Sequence, residues 1–165
     1  NLGNIFFLKR NELKRIFNSN TLIETYEIIK KYPSTIHIMI KKTKFLAKIS
    51  LNNETFLIGS NGQLIENIYS ENFLPYIFGK PDIDEFLEFK KVIDQSKFSY
   101  NEIESLYFFP SKRWDIKLNN NILIKLSKNN LIDSINHSFE LLNDKDFKKI
   151  KVIDARVKNQ IILNE

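Results

Sequence analysis

The feature that most constrains the fold is the stretch "RWDIKLNNNILIKLS", residues 113–127. Apolar residues alternate on both sides of an asparagine-rich turn, namely Trp114, Ile116 and Leu118, then Ile122, Ile124 and Leu126. A period of two residues is the spacing of a strand that buries one face. The stretch therefore predicts an antiparallel hairpin, and such a hairpin needs further strands or a helix before it is stable.

Other segments predict those further strands and two helices packed on them. Asn61–Gly62 lies between two apolar runs, which is a strong hairpin signal. Residues 82–96 and 130–144 carry apolar side chains at helical spacing, and the final residues predict two strands around Lys158–Asn159. The segment "LPYIFGKP", residues 74–81, is rich in proline and glycine and is expected to form an ordered loop.

The N-terminal part predicts one helix followed by a hairpin. Asn11 is a suitable N-cap for a helix over "NELKRIF", and Pro33 fixes the turn between two β-rich runs. In the second run Ile36, Ile38 and Ile40 share one face, which we expect to be half-buried. Together with the segments above, this pattern predicts an α+β protein.

Composition excludes several classes of protein. The chain of 165 residues is 42% hydrophobic and 27% charged, as expected for a globular protein, and it has no cysteine for a disulfide or thiolate site. The net charge is +5, but the lysines are scattered and accompany no motif of a nucleic-acid-binding domain. No apolar run reaches the roughly 20 residues that span a bilayer.

Catalytic and metal-binding patterns receive little support. His37 and His137 lack a second histidine or clustered carboxylates at ligand spacing, so we expect surface or structural roles for both. The acids Asp82 and Glu85 open the predicted helix 82–96 in a capping-box pattern, where the helix dipole favours negative charge. No nucleophile elbow or phosphate-binding loop occurs, so neither an enzyme nor a cofactor is predicted.

Five segments in order resemble the bacterial cell division family FtsQ/DivIB. They are residues 28–47, with Tyr32–Pro33 leading into alternating isoleucines and Ala47, then "FLIGSNGQLIE", "LPYIFGKP", "RWDIKLNNNILIKLS" and "VIDARVKNQIIL". Pro33, Gly62, Trp114, Asp154 and Arg156 are the structural residues of these motifs.

The resemblance implies a domain organisation. Residues 1–47 would be the C-terminal part of a POTRA domain, a helix plus a hairpin, and residues 48–165 a mostly antiparallel β domain carrying two helices. Members have one transmembrane helix, so we expect an inner-membrane, single-pass protein with this part in the periplasm. Because the sequence begins at Asn1, we expect the anchor and the first POTRA strand and helix to precede it, which leaves an uncovered sheet edge.

The resemblance also implies a function and its partners. The protein would be a non-enzymatic scaffold of the divisome that recruits FtsB and FtsL and through them regulates the septal synthases FtsW and FtsI. A partner strand would add to its C-terminal strand. The implied contact residues are Val157, Lys158, Asn159, Gln160, Ile161, Ile162 and Leu163, and the helix carrying Asn136 and Glu140 would supply a neighbouring surface.

Asp154 and Arg156 lie two residues apart in the closing stretch. Strand alternation puts Ile153, Ala155 and Val157 on one face, assigned to the core, and the charged pair on the other. The pair is therefore expected to order the last hairpin and not to transfer protons. Two other functions stay open: a periplasmic POTRA module of an outer-membrane assembly or secretion system, and a basic nucleic-acid-binding domain with salt-dependent affinity.

Overall fold

The computed structural model describes residues 10–31, 35–66, 73–144, 150–157 and 160–164. Within these ranges there are three α-helices: α1 (Arg10–Asn18), α2 (Ile83–Gln95) and α3 (Leu131–Leu142). The strands are β1 (Ile23–Lys31), β2 (Thr35–Lys42), β3 (Phe45–Leu51), β4 (Glu54–Gly59), β5 (Leu64–Glu66), β6 (Tyr76–Phe78), β7 (Ile103–Phe108), β8 (Trp114–Leu118), β9 (Leu123–Leu126), β10 (Val152–Ala155) and β11 (Ile162–Asn164).

Nine of these strands form one sheet in the order β11-β10-β9-β8-β7-β6-β3-β4-β5. Neighbours pair antiparallel except at three places, where β10 lies parallel to β9, and β6 lies parallel to both β3 and β7. The predicted hairpin of residues 113–127 is the β8–β9 pair. The predicted α+β class, with a mostly antiparallel sheet that carries two helices, is confirmed.

Helices α2 and α3 pack against one face of the nine-stranded sheet. Phe86, Phe89 and Ile93 of α2 and Ile135 of α3 share one buried core with the inward residues of β6 to β10. Trp114 belongs to this core, and its ring centroid is 4.5 Å from that of Phe89. The apolar side chains predicted at helical spacing in residues 130–144 lie on α3 and face this core. Their burial removes apolar surface from water and so stabilises the fold.

The start of α2 matches the predicted capping pattern. The Glu85 carboxylate accepts a hydrogen bond from the backbone N–H of Asp82 at 3.2 Å. At the first helix, by contrast, Arg10 is already helical, so the expectation that Asn11 is the N-cap of α1 is wrong.

Strand β6 corrects the expectation of a loop at residues 74–81. Its short backbone pairs on both sides, with Ile49 opposite Ile77 on one side and Leu106 opposite Ile77 on the other. Proline and glycine remain at its borders, where Pro75 accepts a hydrogen bond from Lys48 N–H and Gly79 adopts a φ of +103°. The local composition indicates a loop, but neighbouring strands distant in sequence satisfy the backbone and make it a strand.

The remaining two strands form a separate antiparallel sheet, β1–β2, in which Ile28 lies opposite Ile38. The predicted half-buried face of β2 is wrong, because Ile38 and Ile40 are exposed. Helix α1 contacts one end of this sheet, where the rings of Phe17 and Tyr26 are 4.8 Å apart.

Hydrogen bonds join the two sheets where the chain passes from β2 to β3. Thr43 N–H donates to Leu22 O at 2.9 Å, and the Asn61 side-chain amide donates to Thr21 O at 2.9 Å. The predicted turn at Asn61–Gly62 is confirmed, with Gly62 at a φ of +75°. The expected domain boundary after residue 47 lies within β3, and it stays a prediction.

Candidate functional site

The C-terminal strand β11 lies at one end of the nine-stranded sheet. It pairs antiparallel with β10, with Ile153 opposite Leu163, and Lys151 N–H donates to Asn164 O at 2.8 Å. Because successive residues of a strand direct their backbone groups to opposite sides, the N–H and C=O of Leu163 point away from β10. Among the described residues no strand pairs with that outer side, so it is a free edge.

The side chains of β11 and of the residue before it divide between two faces. Ile161 and Leu163 pack against the core on the helix side. Ile162 lies opposite Asp154 on the other face and is 50% exposed. An exposed isoleucine beside a free backbone edge supplies both apolar contact and unpaired hydrogen-bonding groups.

The described residues just before β11 are also accessible. Gln160 is exposed, and Val157 is 56% exposed. The expectation that Val157 shares the core face is wrong, because β10 ends at Ala155 and the chain turns there. Ile153 and Ala155 are buried as predicted. Lys158, Asn159 and Pro33 lie outside the described residues.

A groove of about 200 Å³ runs between α3 and the C-terminal segment. Asp133 and His137 line it from the helix, and Val157, Gln160 and Ile161 line it from the other side. It therefore extends the accessible surface from β11 toward α3. Asn136 and Glu140 serve a different contact, since both bind Lys97 after α2, through its backbone N–H at 3.2 Å and its Nζ at 3.4 Å.

Asp154 and Arg156 form a bidentate pair at the end of β10. Arg156 Nε donates to Asp154 Oδ1 at 2.7 Å, and Arg156 Nη2 donates to Oδ2 at 2.6 Å. The backbone N–H of Arg156 also donates to Oδ1 at 3.2 Å, which begins the turn toward β11. These bonds from Arg156 lower the pKa of the Asp154 carboxyl. The pair lies where β10 ends and the chain turns toward β11, and its role in ordering that hairpin stays a prediction.

Three further charged residues, which the sequence did not single out, lie beside this pair. Arg113 and Asp115 of the chain around β8, and Lys125 of β9, lie on the same face as Asp154. In the sequence, the arginine and the aspartate are recognisable from the segment R-W-D at residues 113–115, which has the same spacing as D-A-R at residues 154–156 in the opposite order. Each segment places an arginine and an aspartate two residues apart, hence on one face of a strand.

The described ranges contain no group of three or more histidine, cysteine, aspartate or glutamate side chains placed to hold a metal ion. His37 and His137 are both exposed. Within the same ranges, none of the helices has both the length and the apolar character needed to cross a bilayer. A free sheet edge beside an exposed apolar side chain, as at β11, is typical of modules that bind another protein by strand addition.

Comparison with known proteins identifies the family behind this architecture. Residues 47–156 match the family model "Cell division protein FtsQ/DivIB, C-terminal". That match covers more than half of the chain, which belongs to the FtsQ/DivIB family of cell division proteins. The match favours this family over the outer-membrane assembly alternative.

Individual relatives agree with the family. The chain is 27% identical over 172 residues to cell division protein FtsQ of Rickettsia bellii and 25% identical over 170 residues to that of Rickettsia felis, covering 99% and 98% of this chain. It spans only 62% and 61% of those two relatives. The major extracytoplasmic domain of the trans isomer of cell division protein DivIB from Geobacillus stearothermophilus aligns with a TM-score of 0.44 and 14% identity over 59% of this chain and 88% of that domain.

Proposed function

We infer that this chain is a non-enzymatic scaffold of the bacterial divisome that binds a partner strand along β11. The observation that carries this proposal is the free edge of β11 beside the exposed Ile162, in a chain of the FtsQ/DivIB family. A partner strand pairs with the outward N–H and C=O of Leu163, and its side chains contact Ile162. The groove beside α3 receives the flanking residues of the same partner.

The partners follow from the family. The coiled-coil proteins FtsB and FtsL are the proposed direct partners, and the septal synthases FtsW and FtsI are regulated through them. The protein is proposed to sit in the inner membrane through a single transmembrane helix outside this sequence, with the described part in the periplasm. Residues 1–47 are proposed to belong to a POTRA domain and residues 48–165 to a β domain.

Substitution of Ile162 tests the docking edge. Ile162→Lys places a charge where the partner needs apolar contact, yet it faces Asp154 across the strand pair, which favours a folded protein. We expect this variant to lose co-purification with the FtsB-like partner while its circular dichroism and thermal midpoint stay unchanged. Ile161 is a poorer target, because its side chain packs against the core.

Ile29→Lys is the matched control. Ile29 is 40% exposed on β1, so the same substitution at similar exposure is made in the other sheet. The control should bind the partner as the unmodified chain does. Normal binding by a folded Ile162→Lys variant would overturn the proposal that the partner pairs with β11.

A further inference from the structure

Five charged side chains form a row across the face of the sheet opposite α2 and α3. Asp115, Lys125 and Asp154 lie directly opposite one another on β8, β9 and β10. Arg113 and Arg156 flank the two aspartates at either end. We call these five residues the charge row. Its signs alternate, so neighbouring charges in the row attract one another.

At each end of the charge row, an arginine donates two hydrogen bonds to the neighbouring aspartate. Arg113 Nε donates to Asp115 Oδ1 at 3.1 Å, and its Nη2 donates to Oδ2 at 3.4 Å. Arg156 makes the equivalent two bonds to Asp154. Lys125 lies between the aspartates in the strand register. Burial raises the pKa of the Asp115 carboxyl and the positive charge of Lys125 opposes that rise, whereas at Asp154 the same charge adds to the lowering that Arg156 causes. Lys125 is therefore the cation that lies next to both Arg–Asp pairs of the charge row.

Asp115 shows why the shared cation matters. Its side chain is only 4% exposed, and burial raises the pKa of its carboxyl, against the effect of Arg113. A buried carboxylate is costly unless cations and hydrogen bonds compensate it. Removing Lys125 would leave Asp115 and Asp154, on the two strands that flank β9, without the positive charge that lies between them.

The strands at this end of the sheet are short and need such support. β10 has four residues and pairs in parallel with β9, and β11 has three. Segments with few buried contacts open locally at low free energy. Since Arg156 also begins the turn into β11, anything that holds Asp154 in place holds the root of that hairpin.

We propose that the charge row positions β10 and the turn after it, so that the edge of β11 is held ready for its partner. Lys125 is the central positioning residue, because it lies opposite both Asp154 on β10 and Asp115 on β8 and its charge attracts both carboxylates. That a partner binds the edge of β11 rests on the proposed function, whereas the role of the charge row in positioning β10 does not.

Amide hydrogen exchange of the chain alone tests the positioning role. We expect Lys125→Met, which keeps the aliphatic stem and removes the charge, to lower protection of the β10 and β11 amides about tenfold, an effect within the range by which members of one charge network couple. Protection in β7 should be unchanged. Lys125→Arg keeps the charge and should retain most of the protection, which a loss of packing alone would not explain.

Lys117→Met is the matched control. Lys117 lies on the same face and pairs with Glu104 at 3.0 Å, away from β10. It should leave β10 and β11 protection unchanged. The proposal is overturned if Lys125→Met does not change β10 exchange, if β7 loses protection equally, or if Lys117→Met has the same effect.

Partner binding separates this proposal from the docking proposal. If Lys125→Met lowers β10 protection while Ile162→Lys still binds the partner, the charge row stands and the docking edge is refuted. If Ile162→Lys abolishes binding while Lys125→Met leaves β10 protection intact, the docking edge stands and the charge row is refuted.

Discussion

Replacement of Gly79 by alanine should be among the most destabilising single-methyl changes in the protein. Gly79 follows β6 at a φ of +103°, a backbone conformation that residues with a side chain rarely adopt. A Cβ atom there would overlap the carbonyl oxygen of Phe108 and lie 3.2 Å from Phe108 Cβ. Because Phe108 continues β7, the partner of β6, the clash is with backbone that cannot rotate away.

The magnitude follows from two contributions. Backbone strain at an unfavourable φ costs about 1–3 kcal/mol, and pushing β6 away from β7 adds to it, so we expect a total of at least about 3 kcal/mol. For a chain of this size, about 1 kcal/mol lowers the melting temperature by roughly 2–4 °C, which gives a decrease of about 6–12 °C.

Gly62→Ala is the control that separates strain from overlap. Gly62 also has a positive φ, +75°, but the nearest atom to its added Cβ would be Leu87 Cδ1 at 3.5 Å, an ordinary contact. It should therefore cost only the left-handed backbone penalty, about 1–2 kcal/mol. Urea unfolding followed by the fluorescence of Trp114, the single tryptophan, measures both. Equal losses in the two variants would refute the close approach of Gly79 to Phe108.

Two further predictions concern the core and the root of the last hairpin. Trp114→Ala removes the ring that packs on Phe89 and Phe108, so we expect a loss of about 3–5 kcal/mol in unfolding free energy, measured by circular dichroism in urea; a loss below about 1 kcal/mol would contradict its packing in the core. Arg156 lowers the pKa of Asp154 in the folded protein. The pair therefore stabilises the protein fully at pH values above the ordinary aspartate pKa of about 3.9, and this stabilisation is lost as the pH falls through the lowered pKa. Asp154→Asn should therefore be less stable than the unmodified chain at pH 7, by about 1 kcal/mol, and the difference should shrink in acid; a difference independent of pH would contradict the ion pair.

Features that depend on neighbouring residues were predictable from the sequence. The β8–β9 hairpin, the turn at Gly62 and helices α2 and α3 all follow from periodicity and turn chemistry within about 15 residues. The pairing of Asp154 with Arg156 was also predictable, since strand alternation brings residues two apart to one face. The ordered motifs likewise led to the FtsQ/DivIB family, which the family match confirms.

Features that depend on contacts between distant residues were not predictable in this way. Segment 74–81 reads locally as a loop, and β6 forms there because β3 and β7 lie on either side of it. The isoleucines of β2 alternate as a half-buried strand does, yet Ile38 and Ile40 are exposed. Burial requires a covering layer, and within the described residues α1 contacts this sheet at the end where Phe17 meets Tyr26. Val157 continues the apolar alternation of β10 but leaves the strand at the turn that Asp154 begins.

The same distinction between local and distant contacts applies to the candidate site. Local pattern and resemblance located the closing strand and its Asp–Arg pair, because those interactions join residues close in the chain. Only the sheet order placed β11 at an end and brought Asp115, Lys125 and Asp154 opposite one another. Pairing between strands is set by the packing of all the strands and helices together, so a free edge and a row of charges across three strands exist only in the folded protein.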